Sequence, residues 1–209
     1  MNKKIGLFWL RDDFRLSKNK GLIEATTNHD QVVVFYLYKK ESYKNQEAQK
    51  WWLSKSLSNF KKRLNNLNIN LEIIETNSFK IFFDKLIKKK DFSIYWNKVY
   101  EPNYLKFDEY LLKAMKNKNI YSRRFKGNTL NEIHEIKKND GTPFKVFTPF
   151  WRAAEKFYIE KIPLKEKIIK KCKKKINYFK NCIDSEKILP KKNGLKNLKK
   201  FGFLTMKLL

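Results

Sequence analysis

Charged side chains that could contact a polar ligand are concentrated in two short segments of the chain, residues 11–18 and 97–103. The first segment opens with Arg11, Asp12 and Asp13, directly after a short apolar run. Arg11 and Asp13 could form a salt bridge that fixes a loop, or they could contact a ligand. Either role requires a guanidinium and a carboxylate that are held at the end of a strand.

The second segment combines aromatic rings with a carboxylate. Trp96 and Tyr100 could stack on a flat ligand ring, although aromatic side chains at strand ends more often pack in a core. Glu101 could accept hydrogen bonds from buried backbone amides or from a ligand. Trp51 and Trp52, by contrast, open an amphipathic helical pattern, which favours core packing for both rings.

Several kinds of catalytic and cofactor site are excluded by the sequence. None of the six glycines forms a Gly-x-Gly string, so the chain has neither a dinucleotide fingerprint nor a phosphate-binding P-loop. His29 and His134 lie far apart, which argues against a metal cluster or a catalytic triad. Cys172 and Cys182 match no zinc or redox spacing and indicate two free thiols. We therefore predict no metal site and no catalytic residues, as expected for a binding domain.

The segments that would position these residues alternate between strand-like and helix-like patterns. Short runs rich in β-branched and aromatic residues predict five strands, at Ile5–Trp9, Val32–Tyr38, Leu71–Ile74, Ser93–Trp96 and Ile120–Phe125. Helical patterns separate these runs. The sequence therefore predicts an α/β fold, with a five-stranded parallel, doubly wound (Rossmann-like) sheet, helices on both faces, and a basic linker after it.

Three of the intervening helices have clear sequence signals. Between the second and third strands, apolar residues recur every three or four positions on one helical face, at Leu53, Leu57, Phe60, Leu64 and Leu67. Ser78 can cap the next helix, and Pro102 stands just before the start of another. These helices would cover the two faces of the sheet.

Sheet topology predicts where a ligand would bind. In a doubly wound sheet the ligand lies where the strand order reverses, outside the carboxyl ends of the strands. With the strand order 3-2-1-4-5, this crevice lies between the first and fourth strands. Residues 11–18 and 97–103 would then form its two walls, so topology alone brings the two charged segments together.

The alternation of strands and helices ends near residue 125. Residues 139–143 are typical of a turn, and a helix is predicted near Pro149 with one face made of Phe150, Ala153, Ala154 and Phe157. Beyond Pro163 the chain is dense in lysine, and we interpret it as a linker. An amphipathic helix is the alternative there, because apolar residues recur at helical spacing at Ile169, Cys172, Ile176, Phe179 and Ile183.

Three stretches resemble the DNA photolyase/cryptochrome family. Residues 8–16, Phe-Trp-Leu-Arg-Asp-Asp-Phe-Arg-Leu, followed by Asn19, are similar to the family's Trp-Phe-Arg-x-Asp-Leu-Arg string at the end of the first strand. Residues 95–102, with Asp108 further on, resemble its Trp-Asn-x-x-Tyr-Glu-Pro segment. Residues 141–151 resemble its Gly-x-Pro-(Phe/Tyr)-x-Val-Phe-Thr-Pro-Phe segment. The three matches occur in the family's order.

The resemblance implies that residues 1–130 form the family's α/β antenna domain, that residues 131–160 add a loop and a helix that close it, and that residues 161–209 are a lysine-rich interdomain linker. In this family a helical domain holds FAD and receives damaged DNA, whose pyrimidine dimers are repaired with light. The chain stops near the point where that domain would begin. We therefore expect a truncated or frameshifted product without the FAD site, inactive alone, or a partner of a separately encoded helical domain.

The resemblance also implies an antenna chromophore, which in the family is a folate, a deazaflavin or a flavin. Folate-binding members use an Asn-Glu pair, and its counterpart here is Asn103-Tyr104, so only the asparagine carries over. This departure puts folate in doubt and leaves a deazaflavin, a flavin or no antenna open. The expected cofactor-binding residues are Arg11, Asp13, Trp96, Asn97, Tyr100, Glu101, Asn103 and Tyr104.

Charge leaves two other classes of function open. The 209-residue chain has a formal net charge of +27, which fits either a polyanionic partner or a general lysine bias. A free-standing nucleotide- or flavin-binding module and a basic nucleic-acid-binding protein are therefore the alternatives. The apolar run Ile5–Leu10 is too short for a signal peptide or a membrane span, so we expect a cytoplasmic protein without a membrane partner.

Overall fold

The structure is a computed structural model that describes residues 5–127, 129, 132, 135–156 and 168–190. Its strands are Ile5–Leu10 (β1), Val32–Tyr38 (β2), Asn70–Glu75 (β3), Phe92–Asn97 (β4) and Ser122–Phe125 (β5). Its α-helices are Lys20–Asn28 (α1), Glu47–Asn65 (α2), Phe79–Ile87 (α3), Pro102–Asn117 (α4) and Phe147–Glu155 (α5). None of these described helices is both long and apolar enough to cross a membrane.

The five strands form one parallel sheet in the order β3-β2-β1-β4-β5, which confirms the predicted doubly wound α/β fold. In the central strand β1, Phe8 lies in register with Val34 on β2 and with Tyr95 on β4. The chain winds from β1 out to β3 and then returns to the other side of β1. The order therefore reverses between β1 and β4, and the loops after these two strands meet at that reversal.

Both faces of the sheet are buried, because successive side chains of a strand point to opposite faces. Phe8 and Leu10 belong to the apolar layer that contains side chains of α1 and α2. Leu7 and Trp9 belong to the layer that contains side chains of α3 and α4. Every residue of β2 is buried, as expected for a strand inside a parallel sheet. The two layers hold the sheet firmly beneath the loops that build the candidate site.

Capping residues define where three helices begin. Ser78 accepts a hydrogen bond from the Ile81 backbone N–H at the start of α3, as predicted. Asn19 accepts one from the Leu22 backbone N–H at the start of α1, a helix that was not predicted individually. Pro102 is the first residue of α4, a position where the missing proline N–H leaves no hydrogen bond unmade.

The prediction for α2 is confirmed for its apolar face and wrong for one tryptophan. Four of the five predicted face residues are buried within the helix, and Leu67 packs against the same layer from just beyond the helix end. Trp52, expected in the core, is 56% exposed and contacts the edge of the Phe14 ring at a centroid distance of 5.8 Å. Its position immediately before Leu53 turns it by about 100° from the buried face.

The helix predicted near Pro149 is α5. Of its predicted apolar face, Ala154 is buried and Phe150 and Ala153 are partly buried. Phe157, the fourth member of that face, lies outside the described residues, as do the chain's final residues 201–209.

Residues 168–190, which we call the strap, contain no α-helix, so the amphipathic helix considered for this segment is wrong. The spacing of its apolar residues has a different cause. Cys172 packs in the layer of α1 and α2, whereas Ile176 and Phe179 pack in the layer of α3 and α4. Ile183 pairs with Ile73 of β3 in an antiparallel bridge, so the strap protects an edge of the sheet. An interdomain role for the strap stays a prediction.

One buried carboxylate anchors the strap to the sheet. Glu72 on β3 is 3% exposed and accepts hydrogen bonds from the backbone N–H groups of Tyr178 and Phe179 at 2.9 and 2.7 Å. Asn70 Nδ2 donates to the same carboxylate at 3.1 Å. Hydrogen bonds to an ionised group are the strong ones, so a single β3 side chain fixes the course of the strap.

The alkylation rate of the Cys182 thiol can show whether Glu72 holds the strap in this way. Although Cys182 is exposed, desolvation by its packed surroundings, together with the Glu72 carboxylate, raises the pKa of its thiol to about 11. Because the thiolate is the reactive form, alkylation of Cys182 at pH 8 should be about 100-fold slower than that of an ordinary exposed thiol, and its rate should rise up to about pH 11. Mass spectrometry of iodoacetamide-treated protein across a pH series measures this rate.

The matched variant for this experiment is Glu72→Gln, which removes the charge while keeping the size of the side chain. It should lower the pKa of Cys182 and speed its alkylation, because the negative charge beside the thiol is gone. If Cys182 of the folded chain reacts at pH 8 as fast as it does in the urea-unfolded chain, the strap does not pack as described.

Candidate functional site

A cavity of about 520 Å³ opens at the carboxyl ends of β1 and β4, where the strand order reverses. Both predicted walls are present, because residues of the loops that follow these two strands line it. Trp9 and Phe8 contribute apolar surface from β1. The remaining lining residues are polar or lie in the two loops, and they are Arg11, Asp12, Asp13, Asn97, Lys98, Val99, Tyr100, Glu101, Pro102 and Thr129.

A buried ion pair joins the loop after β1 to helix α4. Arg11 donates to both carboxylate oxygens of Asp108, at 3.1 and 3.2 Å, and also to the Asn97 backbone carbonyl. The side chains of Arg11 and Asp108 are 6% and 0% exposed. The Arg11 guanidinium also lies over two aromatic rings, 4.7 Å from the centroid of Trp9 and 5.7 Å from that of Tyr104. Arg11 thus holds the end of β1, the end of β4 and α4 together.

Burial dominates the electrostatics of this pair. Desolvation raises the pKa of Asp108 above its usual value, and Arg11 opposes that shift. Desolvation likewise lowers the pKa of Arg11, and Asp108 opposes it. At the cavity wall, desolvation raises the pKa of Asp12, although part of its side chain is exposed. A carboxylate in this position favours a ligand that donates hydrogen bonds over an anionic ligand.

A second network of amides and a carboxylate connects the two walls directly. Asn97 Nδ2 donates to Asp13 Oδ2 at 3.2 Å and to Asn19 Oδ1 at 3.0 Å. Asp13 is also held by Arg15, whose Nε donates to it at 2.7 Å. Since Asn19 is the capping residue of α1, the network fixes the last residue of β4 against the start of that helix. The Asp13 carboxylate is therefore positioned before any ligand arrives.

The far wall of the cavity is held by Glu132. Lys98 Nζ lies 3.0 Å from Glu132 Oε2, and the Tyr100 hydroxyl donates to Glu132 Oε1 at 3.1 Å. The Gly127 backbone N–H donates to the same Tyr100 hydroxyl at 3.2 Å. These contacts fix the Tyr100 ring as a rigid side of the cavity, as stacking on a planar ligand would require.

The predicted site residues divide into three groups. Five of the eight line the cavity, namely Arg11, Asp13, Asn97, Tyr100 and Glu101. Trp96 does not line it, because it is 0% exposed and packs in the layer of α3 and α4. Glu101 is exposed at the start of α4, so the expectation of a buried acceptor for backbone amides is wrong.

Asn103 and Tyr104 form the third group and line a neighbouring cavity of about 730 Å³ between β2, α3 and α4. Glu101 lies between the two cavities and contributes to both. The Tyr104 ring, in the place of the glutamate that the resemblance leads one to expect, packs over the Arg11 guanidinium. The eight predicted residues therefore do not form one binding surface.

Two residues that organise the site were not predicted to belong to it. Asn19 and Asp108 occur in the motifs that carry the resemblance, but neither lines the cavity. The helical phase of Asp108 was the available signal. It falls four residues after Tyr104 and three before Leu111, on the apolar face of α4, where a carboxylate requires a buried cation.

The cavity offers fixed polar groups beside apolar surface. Within the described ranges, no cluster of three or more histidine, cysteine, aspartate or glutamate side chains could hold a metal ion. The cavity combines an apolar surface from β1, the ring of Tyr100 and fixed polar groups such as Asp13. Such a site suits a flat heteroaromatic ligand with N–H donors at its edge.

Comparison with known proteins places this geometry in a family. Residues 6–167 match the family model described as DNA photolyase. A deoxyribodipyrimidine photo-lyase from Agrobacterium fabrum is 30% identical over 149 residues, which are 71% of this chain and 31% of that protein. The chain thus spans about a third of the length of this curated relative.

Solved photolyase structures share the fold of this chain. A bacterial class III photolyase from Agrobacterium tumefaciens superposes with a TM-score of 0.80 at 25% identity, over 98% of this chain and 42% of that one. An archaeal photolyase from Sulfolobus tokodaii, solved with two FAD molecules, shares the fold at a TM-score of 0.63 and 18% identity, over 88% of this chain and 40% of that one. Since the family model covers most of the chain and both walls of the cavity, the chain belongs to the DNA photolyase family.

Proposed function

We propose that this chain binds an antenna chromophore in the cavity between β1 and β4 and acts as the light-harvesting part of a deoxyribodipyrimidine photolyase. The observation that carries the proposal is the network of Asp13, Asn97 and Asn19, which fixes polar groups in a cavity at the reversal of the strand order. Such preorganised polar groups beside apolar walls favour a planar heterocycle over a flexible substrate.

The proposed chromophore is a flavin or a deazaflavin rather than a folate. Tyr104 takes the place of the glutamate that folate-binding relatives use, and it packs on Arg11. The exposed Asn103 is the remaining member of that pair. The Sulfolobus tokodaii photolyase structure, described as implying a novel light-harvesting cofactor, contains two FAD molecules and provides a precedent for a flavin antenna in this fold.

Titration of the purified chain with FMN, a deazaflavin and a reduced folate, followed by chromophore fluorescence, tests the proposal. We expect saturable binding of a flavin or a deazaflavin, and at least about 10-fold weaker binding by the Asn97→Ala variant, since two hydrogen bonds that position Asp13 and Asn19 would be lost.

Asn70→Ala is the matched control. Asn70 is also a buried asparagine at a strand end, 9% exposed against 6% for Asn97, but its contacts are with Glu72 and Asn177 at the opposite end of the sheet. It should lose stability and keep its affinity for the chromophore. Equal loss of affinity in both variants, or binding of none of the three chromophores, would sink the proposal.

We also propose that these 209 residues do not repair DNA alone and act with a helical half that holds FAD. The match covers 31% of the Agrobacterium fabrum relative, and this partial coverage supports the proposal. A light-dependent assay for repair of cyclobutane pyrimidine dimers, with FAD added to the purified chain, should give no repair. Measurable repair would show that the chain is catalytically sufficient.

A further inference from the structure

Lysine side chains are concentrated at the end of the sheet opposite the cavity. We call ten exposed lysines there the basic face, and they are Lys88, Lys89, Lys90, Lys116, Lys118, Lys170, Lys171, Lys173, Lys174 and Lys175. They belong to the segments that precede β4 and β5 and to the strap. In the described segments at this end, residues 29–31, 66–69, 88–91, 116–121 and 168–175, the acidic residues are Asp30 and Asp91.

Hydrogen bonds of the strap place its lysines on this end. The Lys170 backbone N–H donates to Thr26 Oγ1 near the end of α1 at 3.2 Å, and the Lys173 backbone N–H donates to the Asp30 carbonyl at 3.1 Å. Between them, the Cys172 backbone N–H donates to the Leu67 carbonyl beyond α2 at 2.9 Å. The strap therefore crosses the amino ends of the strands, with five exposed lysines in six residues.

A general lysine bias does not explain this distribution. At the cavity end, residues 11–19, 39–46, 76–78 and 98–101 hold seven basic and four acidic residues, against ten and two at the opposite end. The helix dipole favours a lysine in the last turn of a helix, such as Lys116 in α4. The strap contains no α-helix, so the helix dipole does not explain its lysines. The excess charge is thus a property of one end of the domain.

The shape of the basic face also suits contact with a polyanion. A groove of about 490 Å³ between the ends of α3 and α4 is lined by Lys88, Lys90 and Lys118 and by one acidic residue, Asp84, which is paired with Lys80. The stretch of residues 170–175 bends at Lys173 and Lys174 and spans at most about 20 Å, the length of a fully extended chain. A DNA duplex carries one phosphate charge for about every 1.7 Å of its length, counted over both strands, so the side of a duplex that faces this stretch offers several phosphates to its five lysines.

We propose that the basic face binds the phosphate backbone of double-stranded nucleic acid without reading its sequence, independently of any ligand in the cavity. An anionic membrane surface would attract the same lysines, but it fits less well, because no apolar stripe is present to add insertion to the electrostatic attraction. The exposed large apolar residues near this end, Tyr121 and Ile168, are separate side chains on different segments. Phosphate contacts by lysine require no such stripe.

Fluorescence anisotropy with a labelled, undamaged 20-base-pair DNA duplex tests the proposal on the full 209-residue chain. The variant K90E/K118E/K171E/K174E reverses four exposed charges of the basic face. The control K20E/K40E/K44E/K106E changes the net charge equally, at exposed lysines toward the cavity end. We expect the first variant to bind at least about 30-fold more weakly at 50 mM salt, with a salt slope shallower by about 3–4, and the control to change less than about 5-fold.

Three results would overturn the proposal. One is equal weakening by both variants, which would indicate an effect of net charge alone. Another is wild-type binding that does not depend on salt, and the third is tighter binding to phosphatidylglycerol vesicles than to the duplex. The Lys→Gln version of the same four positions guards against misfolding, and it should show an intermediate loss of affinity together with an unchanged circular dichroism spectrum.

Discussion

Replacing Asp108 with alanine should lower the free energy of unfolding by about 3–5 kcal/mol, because it leaves a buried guanidinium without its carboxylate. Arg11 is 7% exposed and donates to both oxygens of Asp108. Since Arg11 also holds the backbone carbonyl of Asn97, the two walls of the cavity should separate as well. We expect chromophore affinity to fall at least about 10-fold. Urea unfolding and chromophore titration measure the two effects.

Lys173→Ala is the control for this experiment. The Lys173–Asp30 pair has the same 3.1 Å separation as Arg11–Asp108, but its side chains are 76% and 36% exposed instead of 6% and 0%. Its loss should cost less than about 1 kcal/mol. The double variant R11M/D108L should be more stable than D108A, because it buries no unpaired charge. A cost below about 1 kcal/mol for D108A would refute the role assigned to this pair.

The second large effect is expected for Gly21→Ala. A Cβ atom at Gly21 would lie 2.7 Å from Asn97 Oδ1 and 2.8 Å from the Phe8 ring, closer than real Cβ atoms approach other atoms. Both neighbours line the cavity, so relief of the clash must move a cavity wall. We expect a loss of about 1–3 kcal/mol in stability and at least about 10-fold weaker chromophore binding.

Gly6→Ala separates binding from stability in the same assays. A Cβ atom there would lie 2.9 Å from the His29 ring, a similar overlap at the opposite end of β1. The variant should lose stability but keep the affinity of the wild-type chain for the chromophore. If Gly21→Ala binds the chromophore as tightly as Gly6→Ala does, Asn97 and Phe8 do not shape the binding site.

The sheet and the position of the crevice were predictable because the signals for them are local. A strand such as Val32–Tyr38 is apolar throughout, which indicates burial on both faces, and the cap at Ser78 is readable from three residues. Once strands and helices alternate, the topology of a parallel sheet places the loops after β1 and β4 side by side. No knowledge of side-chain contacts was needed for that step.

The failed predictions have two physical causes, which are contacts between residues far apart in sequence and small differences in position along one element. Glu72 holds the strap through backbone N–H groups more than 100 positions away, and no periodic pattern records such a contact. Trp52 is exposed although the next residue, Leu53, is buried, because one position along a helix turns a side chain by about 100°. The hydrophobic character of tryptophan alone does not show on which side of that turn the ring lies. Trp96 is buried because it lies inside β4, whereas Glu101 is exposed at the position just before α4.

We propose that a planar chromophore lies between the loops that follow β1 and β4. A crystal structure of the chain with the tightest-binding of the three tested chromophores measures this directly. We expect electron density for the ring system against the Tyr100 ring, with hydrogen bonds to Asp13. A ring system bound instead in the neighbouring cavity, between Asn103 and Tyr104, would contradict it.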